Sequence, residues 1–217
     1  MKSYKLVIFD WDGTLMDSVA RIISCMQKAA TDHGLDSPSD DAVKGIIGLS
    51  LSVAMQKLHP GKTSEIYQSL VNTYSNYYKF QDTTPTPLFD GVINFLESLK
   101  KHHKLLAVAT GKSRSGIDRV LIETQLKELF VSVKGADDAK SKPDPLMLSQ
   151  ILEETGVPVS DAIMIGDSIH DVHMAKNLGM DSIGVTWGVN TQEELNVYQP
   201  IWIADNIHSL QSYLLPL

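Results

Sequence analysis

Two carboxylates, Asp10 and Asp12, stand at the end of the apolar run Leu6-Val7-Ile8-Phe9. In an extended chain, residues i and i+2 point to the same side, so both acids face one space. Gly13 follows, and glycine lets a backbone turn sharply and come close to a ligand. Like charges held together cost free energy unless a cation or a shared proton offsets them. A surface turn would account for Gly13 but not for a hydrophobic strand that aims the pair. Two later apolar runs also end in polar residues, Thr110-Gly111-Lys112 and Gly166-Asp167-Ser168. Lys142 lies in a loop ahead of a helix, and Asp171 falls four residues past Asp167. Acidic oxygen donors without a cysteine cluster suit a hard cation, foremost Mg²⁺. A lysine and a hydroxyl beside such an ion suit a phosphoryl group. A carboxylate aimed at phosphorus can form an acyl phosphate, which splits one hard displacement into two easier ones. A second carboxylate, two residues on, is placed to protonate the leaving alcohol and then to deprotonate the attacking water. Cationic and N–H donors around the anionic group in transfer should supply much of the rate.

These residues meet only if the chain brings them together. Leu6 to Phe9 reads as a strand buried on both faces. Strands are also expected over 105–110, 130–133, 162–167, 182–186 and 201–203. Helical spacing covers 91–103, 113–123, 145–155, 169–178 and 206–214, so strand and helix alternate from Phe89 onward. That alternation means a parallel sheet with helices on both faces and right-handed crossovers. Ligands bind such sheets at the carboxyl ends of the strands, where the acids, the hydroxyl and the lysine all fall. Residues 16–84 differ. Their apolar spacing is helical over 19–30, 40–47, 51–58 and 64–80, with no strand-like alternation. Gln81 to Pro87 reads as a stiff extended connector, because proline fixes φ and disfavours helix before it. The expected division is a catalytic core of 1–15 and 85–217, with a helical insert at 16–84.

Of the 217 residues, 43% are hydrophobic and 21% charged, which is enough to build a globular core. The net charge of -7 gives no general attraction for nucleic acid or for an anionic membrane surface. An anionic substrate must therefore be held locally. Cys25 is the only cysteine, which rules out an intrachain disulfide and fits a reducing cytoplasm. No signal peptide or membrane-spanning run is read from the sequence.

The segment from Asp10 to Ser18, with Thr110-Gly111, Lys142-Pro143 and Gly166-Asp167-Ser168-Ile169-His170-Asp171, resembles the four ordered motifs of the haloacid dehalogenase superfamily. The insert of about 70 residues after the first motif resembles the phosphoglycolate-phosphatase-like branch with a helical cap. The resemblance implies an α/β fold with a Rossmann-like three-layer core and an inserted all-helical cap. It implies Asp10 as nucleophile, Asp12 as general acid and base, and Thr110 and Lys142 as phosphoryl holders. Asp10, the Asp12 backbone carbonyl and Asp167 would ligate Mg²⁺, with Asp171 supporting them. The N–H groups of Trp11 and Gly111 would face phosphoryl oxygens. Dehalogenases and phosphonate-cleaving members lack an acid at the position of Asp12, so that residue argues for phosphoryl transfer. Mutases of similar architecture carry a cap histidine where this chain has Ile22, so hydrolysis is left.

The resemblance thus implies a phosphatase of small phosphorylated metabolites, acting as a monomer or homodimer, with phosphoglycolate the leading analogy. Pyrophosphate, a nucleotide or a sugar phosphate would use the same machinery. A phospho-accepting receiver domain and an inactive binding module are rivals from other classes. The insert loop Gly48 to Leu51, with Ser50, reads either as a specificity loop over the site or as a plain helix–helix turn. Arg114 is a candidate for a second anionic group of the substrate, and Arg21 an alternative. The Trp11 side chain, between the two acids, should point into packing. Cys25 should be a core residue. His170 and His173 hint at zinc, a weaker reading beside so many oxygen donors. Trp187 would line either the pocket or the core.

Overall fold

A computed structural model describes residues 2–215. One six-stranded parallel sheet runs in the order β3-β2-β1-β4-β5-β6. Its strands are β1 (Leu6–Phe9), β2 (Leu105–Ala109), β3 (Ser132–Lys134), β4 (Ala162–Gly166), β5 (Asp181–Val185) and β6 (Trp202–Ala204). β1 sits in the middle, with Phe9 opposite Val108 on one side and Ile165 on the other. The ends of β1, β2 and β4 therefore lie side by side.

Side chains of β1 alternate as a period of two requires. Val7 and Phe9 join one core layer, with Phe95 and Leu99 of α5 (Val92–Lys101), Ile117 of α6 (Arg114–Glu123) and Leu210 of α10 (Ile207–Leu214). Leu6 and Ile8 join the opposite layer, with Met147 and Ile151 of α7 (Leu146–Thr155) and Met174 of α8 (Ile169–Leu178). Phe9 and Phe95 meet edge to face at 5.9 Å. Burying a side chain of that size contributes about 2–3 kcal/mol, so this interface anchors the edge that carries Asp10.

Between β1 and α5 the chain is helical, with α1 (Val19–Asp32), α2 (Asp40–Lys44), α3 (Leu51–Leu58) and α4 (Ser64–Asn76). α4 continues into one wider π turn, Tyr77–Gln81. These helices bury their own apolar cluster, which includes Cys25, Met26, Val43, Met55, Leu70 and Tyr78. The chain enters and leaves this region through paired segments. The Asp17 N–H donates to the Pro87 carbonyl at 2.8 Å, and the Phe89 N–H donates to the Leu15 carbonyl at 3.1 Å.

Two sequence expectations need correction. β3 begins two residues later than the apolar run, because Phe130 turns inward to pack on Trp11 at 6.3 Å. A short helix, α9 (Gln192–Asn196), falls in a stretch that carried no helical reading, nucleated by a capping box between Thr191 and Glu194. The connector at 81–87 is also held by more than proline. Buried Asp82 accepts from Ser24 Oγ and from Lys28 Nζ, both at 2.7 Å.

Candidate active site

Asp10 leaves the end of β1 almost fully buried. Its Oδ1 accepts from Lys142 Nζ at 2.8 Å, while its Oδ2 is buried with no hydrogen-bond partner. The Lys142 ammonium also donates to Asp171 Oδ1 at 2.6 Å, with its side chain wholly shielded from solvent. Asp171 does two jobs, because its Oδ2 accepts from the N–H and the hydroxyl of Ser168 in the capping box of α8. Asp167 follows β4. It accepts from Thr14 Oγ1 at 2.7 Å and from the Val189 N–H at 2.9 Å. Gly13 makes the close approach possible. Its φ is 79°, and a Cβ there would stand 2.2 Å from Asp167 Oδ2.

Asp10, Asp167 and Asp171 each offer an oxygen within 4.8 Å of the others. Burial raises the Asp10 carboxyl well above the usual range, with Asp171 and Asp167 adding to the rise and Lys142 opposing it. Burial, then Asp171, pushes Asp167 up to about 7. Burial works against the charge on Lys142, but Asp10 and Asp171 hold its pKa above the ordinary lysine value. Three buried carboxylates against one ammonium leave an excess of negative charge. Unbalanced buried charge costs several kcal/mol per ion, so the group fits a multivalent cation, and the free Asp10 Oδ2 is an available ligand.

Asp12 lies outside this cluster. Its Oδ1 accepts from Ser18 Oγ at 2.5 Å and from Lys112 Nζ at 2.8 Å. Lys112 was not among the expected site residues, although it directly follows Thr110-Gly111 at the end of β2. Its ammonium also lies 4.9 Å from the centre of the Tyr78 ring, on the π turn of the helical region. Thr110 is buried and lines the same space as Asp10 and Asp12. Thr14, the other missed residue, carried no signal beyond its nearness to Asp12. The Trp11 side chain is fully buried in the core layer, as its position between the acids required.

The loop after α2 lies against the sheet edge. A Cβ on Gly111 would stand 2.4 Å from the Leu49 carbonyl oxygen, so two backbones touch there. The Ser50 N–H donates to Ser141 Oγ at 2.9 Å, in the loop that carries Lys142. Residues 48–51 line the same space as Asp10. A cavity of about 330 Å³ lies between the two layers, and Asp10, Asp12, Ser50, Thr110 and Gly111 line it. Ile22 lines it too.

Arg114 does not line this cavity. Its guanidinium donates to the Val133 carbonyl at 3.1 Å and pairs with Asp138. Arg119 on the same helix does line it, and five residues place it about 140° around the axis. Arg21 is drawn to Asp82 and the Tyr78 ring. His170 bonds the Gly45 carbonyl at 3.1 Å and His173 stacks on Tyr198, so neither ring joins the carboxylate cluster. Trp187 donates to the Thr14 carbonyl at 3.1 Å, and Cys25 is a buried core residue.

This arrangement can be set against known proteins. The model of the haloacid dehalogenase-like hydrolase family matches residues 7–185. The chain belongs to that family. It is 36% identical over 204 residues to a Dickeya dadantii protein named probable phosphatase IndB, covering 92% of this chain and 89% of that one. It is 29% identical over 223 residues to a phosphoglycolate phosphatase of Vibrio cholerae, covering 99% of both. A solved structure of a haloacid dehalogenase-like family hydrolase from Streptococcus pneumoniae superposes with a TM-score of 0.85 at 26% identity, covering 99% of this chain and 100% of that one. By family and by these full-length relatives, the enzyme is a phosphatase.

Proposed function

We propose that the enzyme hydrolyses small phosphate monoesters through a phosphorylated Asp10, with Mg²⁺ as cofactor. The observation that carries this reading is the buried Lys142 bridge between Asp10 and Asp171, beside an Asp10 oxygen left without a partner. Mg²⁺ bound by Asp10, Asp167 and the Asp12 carbonyl, with Asp171 in support, would neutralise charge on the transferring phosphoryl group. Lys142 opposes the rise that burial imposes on the Asp10 carboxyl, and so favours its ionised, nucleophilic form. An Asp10 oxygen attacks phosphorus, and the bond from phosphorus to the alcohol oxygen breaks as Asp12 gives that oxygen its proton. Asp12 then takes a proton from water, whose oxygen attacks the acyl phosphate. Inorganic phosphate leaves and Asp10 is restored. Thr110 and the N–H groups of Trp11 and Gly111 would orient the phosphoryl oxygens.

In this reading, residues 1–15 and 85–217 form the catalytic core, and 16–84 form a lid that closes over it. The segments near Met16 and at 84–87 would be its hinges. Every group named comes from one chain, which is compatible with a monomer or a homodimer. No helix among the described residues is long and apolar enough to cross a membrane, in keeping with a cytoplasmic place. The names of relatives make phosphoglycolate the first ester to try. The test is phosphate release from a panel of esters with Mg²⁺, repeated in excess chelator and with Asp10→Asn. Turnover should vanish in both controls, and acid quenching of the wild type should trap a short-lived acyl phosphate. Full turnover in chelator would remove the metal from the reaction. A phosphoenzyme that persists for hours would favour a receiver-like domain.

A further inference from the structure

The cavity above Asp10 is larger and drier than a two-carbon alcohol requires. Its volume is about 330 Å³. At about 30 Å³ per water that is room for roughly ten, and it reaches the range of about 300–1,000 Å³ seen for drug-sized ligands. Asp10 and Asp12 line one end. Beyond them the apolar part of the wall includes Ile22, Met26, Ile47, Val71, Tyr74 and Tyr78, all from the helical region, with Ser52, Ser75 and Lys79 among its polar neighbours. The rings of Tyr74 and Tyr78 lie 5.8 Å apart and are inclined by 30°.

A glycolate group brings only about five non-hydrogen atoms and would leave most of that apolar wall facing water. Its carboxylate would also need a cation. Lys112 is already paired with Asp12 at 2.8 Å, and Arg119 is paired with Glu123 at 3.1 Å. The Arg119 Nε is buried without a partner, which leaves one charge-assisted donor for a polar group of the substrate. Lys79 lines the cavity but is an exposed residue. We propose that the preferred substrate is a phosphate monoester whose alcohol carries an apolar, ring-sized body, seated against Val71, Tyr74 and Tyr78. This narrows the phosphatase reading above and rests on it.

The test compares kcat/KM for 2-phenylethyl phosphate, ethyl phosphate and phosphoglycolate. The two alkyl esters have leaving groups of similar basicity, so their ratio reports the body and not the chemistry. The phenylethyl ester should exceed each of the others by about tenfold or more, the discrimination that filling an apolar pocket gives. Val71→Phe, which fills the cavity, and Tyr74→Ala, which removes a wall, should each lower that ratio by about fivefold or more. The wild-type ratio needs no variant to fold. Phosphoglycolate or ethyl phosphate matching the phenylethyl ester would overturn the inference and leave the phosphatase reading standing. Hydrolysis of none of the three would overturn both.

Discussion

At the carboxyl edge of the sheet, every carboxylate oxygen of Asp10, Asp167 and Asp171 has a partner except Asp10 Oδ2. The cavity that Asp10 opens into has much of its wall made of hydrocarbon and phenol rings. The first region is fixed by directional bonds between residues far apart in sequence, and Thr14 and Asp167 are separated by 153 positions. The second is fixed only by shape. One therefore dictates which bond breaks, and the other dictates which molecule is admitted. Changes in the first should strike all substrates alike, and changes in the second should alter their ranking.

The largest effect should come from Lys142→Met, which leaves Asp10 and Asp171 without their shared cation. Turnover should fall about a thousandfold on every ester. Urea titration should show a loss of about 3 kcal/mol, as when one partner of a buried pair is removed. Near-normal values of both would break the comparison at its firmer side. Asp12→Asn should come next, with kcat about a hundredfold lower and KM little changed. The loss should shrink on aryl esters, whose leaving groups need less protonation. A uniform loss across leaving groups would deny Asp12 the role of acid.

Lys112→Met joins the two regions, because its ammonium touches Asp12 on one side and the Tyr78 ring on the other. A drop of about tenfold in kcat is expected, recovered in part by Lys112→Arg, which keeps the charge. An equal loss in both variants would point to packing alone.

The smallest effect concerns pH. Asp167 is held up to about 7 by burial, whereas an unfolded aspartate releases its proton near pH 4. Between those values the folded protein binds more protons than the unfolded chain, so stability falls as pH rises. The depressed acid Asp82 loses its contribution only as pH drops below about 4, outside this window. His59 and His170, both lowered by burial, act in the opposite sense. The quantity to read is thus the difference in Tm between chelated and Mg²⁺-loaded protein, which should widen from pH 5 to pH 7.5. A constant difference would argue against a cation among these acids.

The same contrast governs what could be read from residues alone. Asp10, Asp12 and Asp167 were legible because apolar runs announce strands, and parallel strands end on one edge. Asp171 was legible as a site acid, but its capping bond to Ser168 shows that one carboxylate can serve fold and site together. Lys112 stayed hidden because its direction depends on Asp12 and Tyr78, which reach it from other elements. Arg114 and Arg119 are alike in type and share a helix, and only their phase around that helix decides between them. Nothing in the spacing of 19–81 foretold a cavity, since its walls use the residue types that any helical core would use.

The seam at Gly111 bears on how such an enzyme changes over generations. With the Leu49 carbonyl 2.4 Å from where a side chain would begin, any other residue there props the two layers apart. Mutational drift is barred from that contact and left free along the hydrocarbon walls. New diets can thus arise by repapering the room, while the doorframe stays as it is.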